Sequence, residues 1–255
     1  LLEAIRDYRV TMAMLAPTMI IMTLQEPDIA GYDLSSFRLI FYGSAPMAVE
    51  WVRRTMERFP TAEVQQGYGL TETSPILTTL DMEEHREALR TGQYERLKSI
   101  GRPVFGIDLR IMGDDGSEAP TGEAGEIVVR GPNVTKGYLN RPDEGAHAFR
   151  DGWFHTGDVA RTDGEGYIYL LDRKKDMIIT GGENVYSSEV EAVLYQHSKV
   201  HECAVIGVPD DTYGEALFAA IVAAPGQTLT EDEVIAHCRG RIGGGVHCRL
   251  SQNQA

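Results

Sequence analysis

Cysteine is scarce: the 255 residues contain three, Cys203, Cys238 and Cys248. None forms a CxxC pair or has a histidine at metal-ligand spacing, which argues against a zinc site or a disulfide framework. Reduced, incidental thiols in a cytoplasmic protein are the expectation. Positive charge is also short, with 24 Lys and Arg against 38 Asp and Glu, a net charge of −14. That balance disfavours nonspecific binding to nucleic acid or to an anionic membrane. Small anionic nucleotides stay open as ligands, because local groups capture them. No run of about 18 apolar residues is present, so no integral membrane span is expected. The most apolar stretch, Val10 to Met22, is broken by Thr11, Pro17 and Thr18, and reads as a buried strand followed by a helix start. No basic segment followed by an apolar one opens the chain, so no secretory leader is expected. Internal repeats are absent, and Gly243-Gly244-Gly245 is the one local oddity of composition.

Strands, glycine-rich turns and helices alternate through the first hundred residues. Val10–Ala16 is strand-like, and Pro17 suits the first turn of a helix. Arg38–Tyr42 is a second strand ending at Gly43-Ser44-Ala45-Pro46. Met47–Phe59 carries Val49, Val52 and Met56 on one helical face. Glu63–Gln66 is a third strand, ending at Gly67-Tyr68-Gly69. This pattern predicts an α/β layer, in which ligands sit beyond the carboxyl ends of the strands. From Ser99 to Leu171 the texture changes to short strands, at Ile107–Ile111, Gly125–Arg130 and Tyr167–Leu171. Asp114-Asp115-Gly116 and Asp163-Gly164-Glu165-Gly166 are the turn signals of an antiparallel subdomain. A compact α+β unit follows the charged cluster Asp172-Arg173-Lys174-Lys175-Asp176. In it Met177–Thr180, Val200–Val208 and Ala216–Ala223 are strands, and Ser188 with Glu191 and Thr230 with Glu233 read as capping boxes.

Singly the glycine turns are weak signals; in order they are specific. Tyr42-Gly43-Ser44-Ala45-Pro46, Gln66-Gly67-Tyr68-Gly69-Leu70-Thr71-Glu72-Thr73, Gly152-Trp153-Phe154-His155-Thr156-Gly157-Asp158 and Asp172-Arg173-Lys174-Lys175-Asp176 with Gly181-Gly182-Glu183-Asn184 resemble the motifs of the adenylate-forming superfamily, in its acyl-CoA synthetase branch. The resemblance covers roughly residues 1 to 240 and implies an α/β fold: residues 1–171 as the C-terminal portion of the large AMP-binding domain, 172–175 as a hinge, 176–240 as a small α+β lid, and 241–255 as a non-matching tail. It implies ATP-dependent joining of a carboxylic acid, fatty or otherwise hydrophobic, to coenzyme A through an acyl-adenylate.

The residue types suit that chemistry. Gly43, Ser44, Ala45 and Pro46 form one nucleotide-binding turn. The Tyr68 ring can lie on adenine, a contact of about 1–3 kcal/mol, and Gly67 and Gly69 allow close backbone approach. Thr71 offers a hydroxyl to the α-phosphate, and Glu72 is a hard oxygen ligand for Mg²⁺. Asp158, expected at a strand end, can accept from both ribose hydroxyls, with Arg173 donating from the other side. By resemblance Lys175 is the hinge pivot and Gly181-Gly182 lines the channel for the coenzyme A arm. Trp153, His155 and Arg102 read as structural. The partner expected is a small-molecule acid, with a homodimer as the assembly to test for.

Two parts of the family pattern are not found. The Ser/Thr/Gly-rich phosphate loop ending in Pro-Lys-Gly is expected upstream of the first strand. The C-terminal Gly-Lys pair has no counterpart, since no Gly-Lys dipeptide occurs and Lys199 is the last lysine. The chain by itself is therefore expected to be inactive in adenylation. A non-catalytic AMP-binding fragment and a peptide-synthetase-like adenylation enzyme are the alternatives. The lack of a following carrier-protein serine weighs against the second.

Overall fold

A computed structural model describes residues 1–239 and 241–242, and residues 248–252 by their backbone. Gly243-Gly244-Gly245 and much of the expected non-matching tail lie outside the described residues. The chain divides into two units, one of residues 1–156 and 160–170, the other of residues 157–159 and everything from Leu171 onward.

In the first unit, helix α1 (Leu2–Tyr8) leads to strand β1 (Met12–Leu15), helix α2 (Pro17–Leu24), β2 (Leu39–Gly43), α3 (Val49–Arg58) and β3 (Glu63–Tyr68). Strand β4 (Thr78–Leu80), helix α4 (Met82–Thr91) and the short β5 (Arg102–Pro103) complete this layer. The sheet order is β1-β2-β3-β4-β5. The first three strands are parallel and the last two antiparallel. Pro17 does open α2, where its fixed φ and missing N–H cost nothing. Helix α3 turns Val52, Thr55 and Met56 inward onto a core that includes Phe37, Ile40, Tyr42, Val64 and Leu80. Burying each such aliphatic or aromatic side chain stabilises by about 1.5–3 kcal/mol.

The expectation of a buried first strand needs correcting. Among the described strands β1 pairs with β2 alone, and Leu15 is buried while Met12 and Met14 stay 58% and 56% exposed. Apolar composition marked the strand, but side chains alternate along it, which puts Met12 and Met14 together on the exposed face and Leu15 on the other.

The second sheet of this unit is built from β6 (Asp108–Met112), β7 (Gly125–Arg130), helix α5 (Pro142–Ala148), β8 (Phe149–Arg150), β9 (Trp153–Thr162) and β10 (Ile168–Arg173). The strand order is β10-β9-β7-β6, with β8 on β9. The turn signals act through their side chains. Asp115 accepts from the Ser117 amide at 2.9 Å, and Asp163 accepts from the amides of Glu165 and Tyr167, each at 2.9 Å. Such Asx turns satisfy backbone donors that the strands leave unpaired.

The second unit holds β11 (Ile178–Thr180), β12 (Glu183–Val185), α6 (Ser187–Leu194), β13 (Val200–Asp210), β14 (Gly214–Ala223), α7 (Glu231–Cys238) and β15 (Cys248–Gln252). Its order is β12-β11-β14-β13, with β15 parallel to β14. Val190, Leu194, Leu217, Ala219 and Val234 form its core. Thr230 and Glu233 make the expected capping box on α7. Ser188 and Glu191 do not. Helix α6 starts two residues earlier than a Ser188 cap would place it, at Ser187, and the Ser188 hydroxyl turns to the Leu171 carbonyl. Glu191 accepts from the Val205 amide at 2.9 Å. The cap is instead Asp172, whose carboxylate accepts from the Ser187 amide at 2.6 Å, the Ser187 hydroxyl at 2.8 Å and the Ser188 amide at 3.4 Å. A full carboxylate at the positive end of the helix outcompetes a serine hydroxyl there.

Candidate nucleotide site

In the first unit the two glycine turns leave adjacent parallel strands at the same level. Tyr42 is in register with Gln66, and Gly43 with Gly67. Ser44, Ala45 and Pro46 are exposed beyond β2, and Tyr68 is half-buried at the end of β3. Ser44 takes φ 72°, a left-handed conformation that a non-glycine residue adopts at a cost of order 1–3 kcal/mol and that clusters at ligand sites. The parallel strands thus present both turns at one edge, where α/β layers bind ligands. Behind the first turn, the Tyr42 hydroxyl lies 3.1 Å from His85 Nε2, and His85 Nδ1 lies 2.8 Å from the Asp81 carbonyl. A carbonyl only accepts, so Nδ1 carries the proton and Nε2 accepts from the phenol. Burial pushes the His85 pKa down, and the ring is neutral.

Gly69 is required by the chain itself. A Cβ there would stand 1.5 Å from the Pro75 carbonyl oxygen, so the Tyr68-Gly69-Leu70 backbone is folded tightly over the segment that follows. That segment is a single 3-10 turn, Thr71–Thr73. Thr73 is fully buried, and its hydroxyl accepts from the Leu70 amide at 3.0 Å. With Thr73 as the inward anchor, Thr71 is exposed and Glu72 half-buried.

A second loop, between β7 and α5, grips this turn. The Thr135 amide donates to the Glu72 carbonyl at 2.7 Å. Asn133 Nδ2 donates to the carbonyls of Thr73 and Ile76, at 2.6 and 3.1 Å. The Tyr138 hydroxyl donates to Glu72 Oε1 at 2.9 Å. Burial and the carboxylate together push the Tyr138 phenol up to about 12. Sequence reasoning missed these three residues. Their partners lie about sixty residues away, and the one local signal was an asparagine and a tyrosine in a polar loop directly after a buried strand.

In the second unit, Asp158 is buried at 4% exposure, with Oδ1 3.3 Å from Arg173 Nε. These two expected ribose contacts are therefore together. Asp158 lies in the middle of β9, between Trp153 and Thr162, and not at a strand end, because the buried Val159 and Ala160 carry the strand onward. The amides of Asp176 and Met177 both donate to the Arg173 carbonyl, at 2.9 and 3.0 Å, and the Lys174 amide donates to the Gly157 carbonyl at 2.8 Å. This closes a tight turn with Lys175 exposed at its tip. Gly181 and Gly182 follow β11 with φ of 60° and 85°. The Gly181 amide donates to the Tyr213 carbonyl at 2.8 Å, and a Cβ on Gly182 would meet nothing within 4 Å.

The residues set aside as structural have structural partners. Trp153 has the guanidinium groups of Arg110 and Arg130 over its ring at 4.9 and 4.5 Å, and Arg102 covers Tyr167 at 4.0 Å. His155 lies 3.2 Å from the buried Glu126. Burial pushes the Cys203 thiol up to about 12, so it is not a nucleophile at neutral pH. Among the described residues, no group of three His, Cys, Asp or Glu side chains could hold a metal ion, and no helix is long and apolar enough to cross a membrane. Magnesium bound with a nucleotide needs less than three such groups: one or two carboxylates plus substrate phosphates suffice, and Glu72 is a donor of that kind.

Comparison with known proteins gives the family. The family model "AMP-binding enzyme" matches residues 1–139, and "AMP-binding enzyme C-terminal domain" matches residues 189–249. A feruloyl-CoA synthase of Amycolatopsis sp is 44% identical over 243 residues, covering 95% of this chain and 48% of the relative. A long-chain-fatty-acid–CoA ligase of Bacillus subtilis is 39% identical over 242 residues, 94% of this chain and 41% of the relative. The solved O-succinylbenzoate coenzyme A synthetase of Bacillus subtilis, in complex with ATP and magnesium ion, superimposes with a TM-score of 0.81 at 34% identity, over 98% of this chain and 50% of that one. The chain spans about half the length of the relatives it matches. A family model that covers more than half of the residues and relatives about 40% identical over nearly all of them show that this chain belongs to the AMP-binding enzyme family.

Proposed function

We propose that this chain is the nucleotide- and thiol-handling part of an acid–thiol ligase that joins a hydrophobic carboxylic acid to coenzyme A at the expense of ATP. In the first step an acid oxygen attacks the α-phosphorus, the bond to the bridging oxygen breaks, and pyrophosphate leaves. In the second the coenzyme A sulfur attacks the acyl carbon, AMP leaves, and the thiol proton passes to solvent. Tyr68 stacks on adenine, the 43–46 turn and Thr71 meet the nucleotide, and Asp158 with Arg173 holds the ribose. Glu72 would hold Mg²⁺, which neutralises phosphate charge when bound. Lys175 is the pivot of the 172–175 hinge, residues 176–240 are the lid, and Gly181-Gly182 borders the thiol path. The lack of a nucleic-acid partner belongs to the same reading, supported by the net charge of −14, and so does a cytoplasmic location, for which the three scattered cysteines speak.

The observation that carries it is the in-register placement of the Gly43 and Gly67 turns beside the Thr71-Glu72 turn. The acid is the open part. Relatives named for an aromatic acid and for a fatty acid stand at 44% and 39% identity, which supports a hydrophobic acid of either kind. Lacking a Gly-Lys dipeptide, the isolated chain should not form acyl-adenylate, since losing a single charge-stabilising donor costs about 10²–10³ in rate. Two experiments test this. Acid-dependent exchange of labelled pyrophosphate into ATP by the isolated chain would overturn its inactivity. Grafting residues 1–240 in place of the matching half of the feruloyl-CoA synthase, with that enzyme's own flanking segments retained, should restore exchange. A folded chimera without exchange would overturn the ligase reading.

A further inference from the structure

The carboxylate expected to meet magnesium is not oriented by its own turn. Thr71–Thr73 is one 3-10 turn, and a glutamate on it has three rotatable side-chain bonds with nothing local to fix them. What fixes Glu72 arrives from the loop after β7. Asn133 and Thr135 hold the backbone of the turn, and the Tyr138 hydroxyl reaches Glu72 Oε1 at 2.9 Å. The Tyr138 ring is held in turn. It packs edge-on against Phe149 with centroids 6.0 Å apart, and Phe149 stacks on Phe154 at 4.9 Å. Phe154 is buried in β9. A row of three rings thus runs from the core of the second sheet to the carboxylate.

The type of partner matters. A lysine or arginine at this position would neutralise Glu72 and compete with a cation. A neutral phenol donates one hydrogen bond, leaves the carboxylate charged, and occupies one oxygen while the other keeps its lone pairs. That is the arrangement of a second group fixing a metal-binding carboxylate, whose loss in metal sites commonly weakens affinity by 10–100-fold.

We propose that Tyr138 is a positioning residue for the magnesium–nucleotide complex: it orients the Glu72 carboxylate so that the second oxygen is presented to the cation. The proposal rests on the reading of Glu72 as the magnesium ligand, and the test separates the two. ATP affinity of the intact 255-residue chain is measured by calorimetry with magnesium and again with EDTA, and the ratio is the metal enhancement. Tyr138→Phe keeps the ring row and removes only the hydroxyl. It should reduce the enhancement by about 2- to 12-fold, the worth of one hydrogen bond, and leave the affinity in EDTA unchanged. Glu72→Gln should abolish the enhancement.

An unaltered enhancement in Tyr138→Phe overturns the proposal while the Glu72 reading stands. Equal loss with and without metal also overturns it, since Tyr138 would then be merely structural. An unaltered enhancement in Glu72→Gln removes the reading beneath it. A second measurement needs no nucleotide. With tyrosine labelled at its ζ carbon with ¹³C, the Tyr138 resonance is identified by its loss in Tyr138→Phe. It should shift in Glu72→Gln; a resonance that stays in place means the bond is absent, and the proposal falls.

Discussion

Asp172 is predicted to be the keystone of the second unit, and Asp172→Ala tests this. The wild-type carboxylate accepts from the Ser187 amide at 2.6 Å, the Ser187 hydroxyl at 2.8 Å and the Ser188 amide at 3.4 Å. Losing an N-cap acceptor costs about 1 kcal/mol. The negative charge at the start of α6 adds roughly 0.3–1 kcal/mol through the helix dipole. The Ser187 hydroxyl, buried at 9% exposure, loses its partner at a further cost of about 1–3 kcal/mol. The sum is roughly 2.3–5 kcal/mol, equivalent to about 50- to 5,000-fold in an opening equilibrium. Amide hydrogen exchange across Ser187–Leu194 reads that equilibrium directly. Asp172→Asn, which retains an acceptor without the charge, should fall between wild type and alanine. Protection of α6 within threefold of wild type in Asp172→Ala would refute the reasoning, and the cap would have to be reassigned to Ser188.

Other predictions follow from single distances. Stability should fall with acid through His85: burial holds its folded pKa below the ordinary 6.5, so the unfolded chain binds the proton first. Its contribution is complete above about pH 6.5 and is lost below it, by at most about 1.4 kcal/mol per pH unit. His85→Gln should flatten that part of a denaturant-midpoint profile, and an unchanged slope would count against the neutral buried ring. Gly69→Ala should destabilise by about 3 kcal/mol, the upper end for overpacking, because of the Pro75 carbonyl 1.5 Å from the new methyl; calorimetry showing a wild-type melting temperature would contradict this. At Gly182, φ 85° makes any side chain cost about 1–2 kcal/mol, yet open space surrounds the Cβ. Alanine and leucine should therefore be equally destabilising, and an effect of leucine alone on thiol transfer would mark the channel.

Much of the architecture could be read from local pattern, and the reasons for the misses are physical. β2 and β7 are short apolar runs with glycine or charged ends, β3 runs into a glycine turn, and α7 has its cap within four residues. The α/β layer, the antiparallel subdomain and the α+β unit all follow from such signals. Helix α4 escaped notice because only His85 and Ala88 of its ten residues are buried, leaving almost no apolar stripe. β1 was placed correctly in sequence but only one of its faces is buried, since an all-apolar run does not tell which face is covered. At the candidate site, Tyr68, Thr71 and Glu72 were reached through the resemblance of their motif. What orients them was not. The Tyr138–Glu72 bond spans 66 residues and the Asp172–Ser187 bond 15, and no local rule anticipates such partners.

The central claim, that this chain carries the nucleotide-binding residues of an acid–thiol ligase, is tested most directly by AMP titration of the intact chain and of Asp158→Ala. Calorimetry should show saturable AMP binding to the wild type. The variant should bind about 10- to 150-fold more weakly, the worth of charged ribose hydrogen bonds at about 1.5–3 kcal/mol. AMP binding that Asp158→Ala leaves intact, or no binding to a folded wild-type chain, would contradict the account.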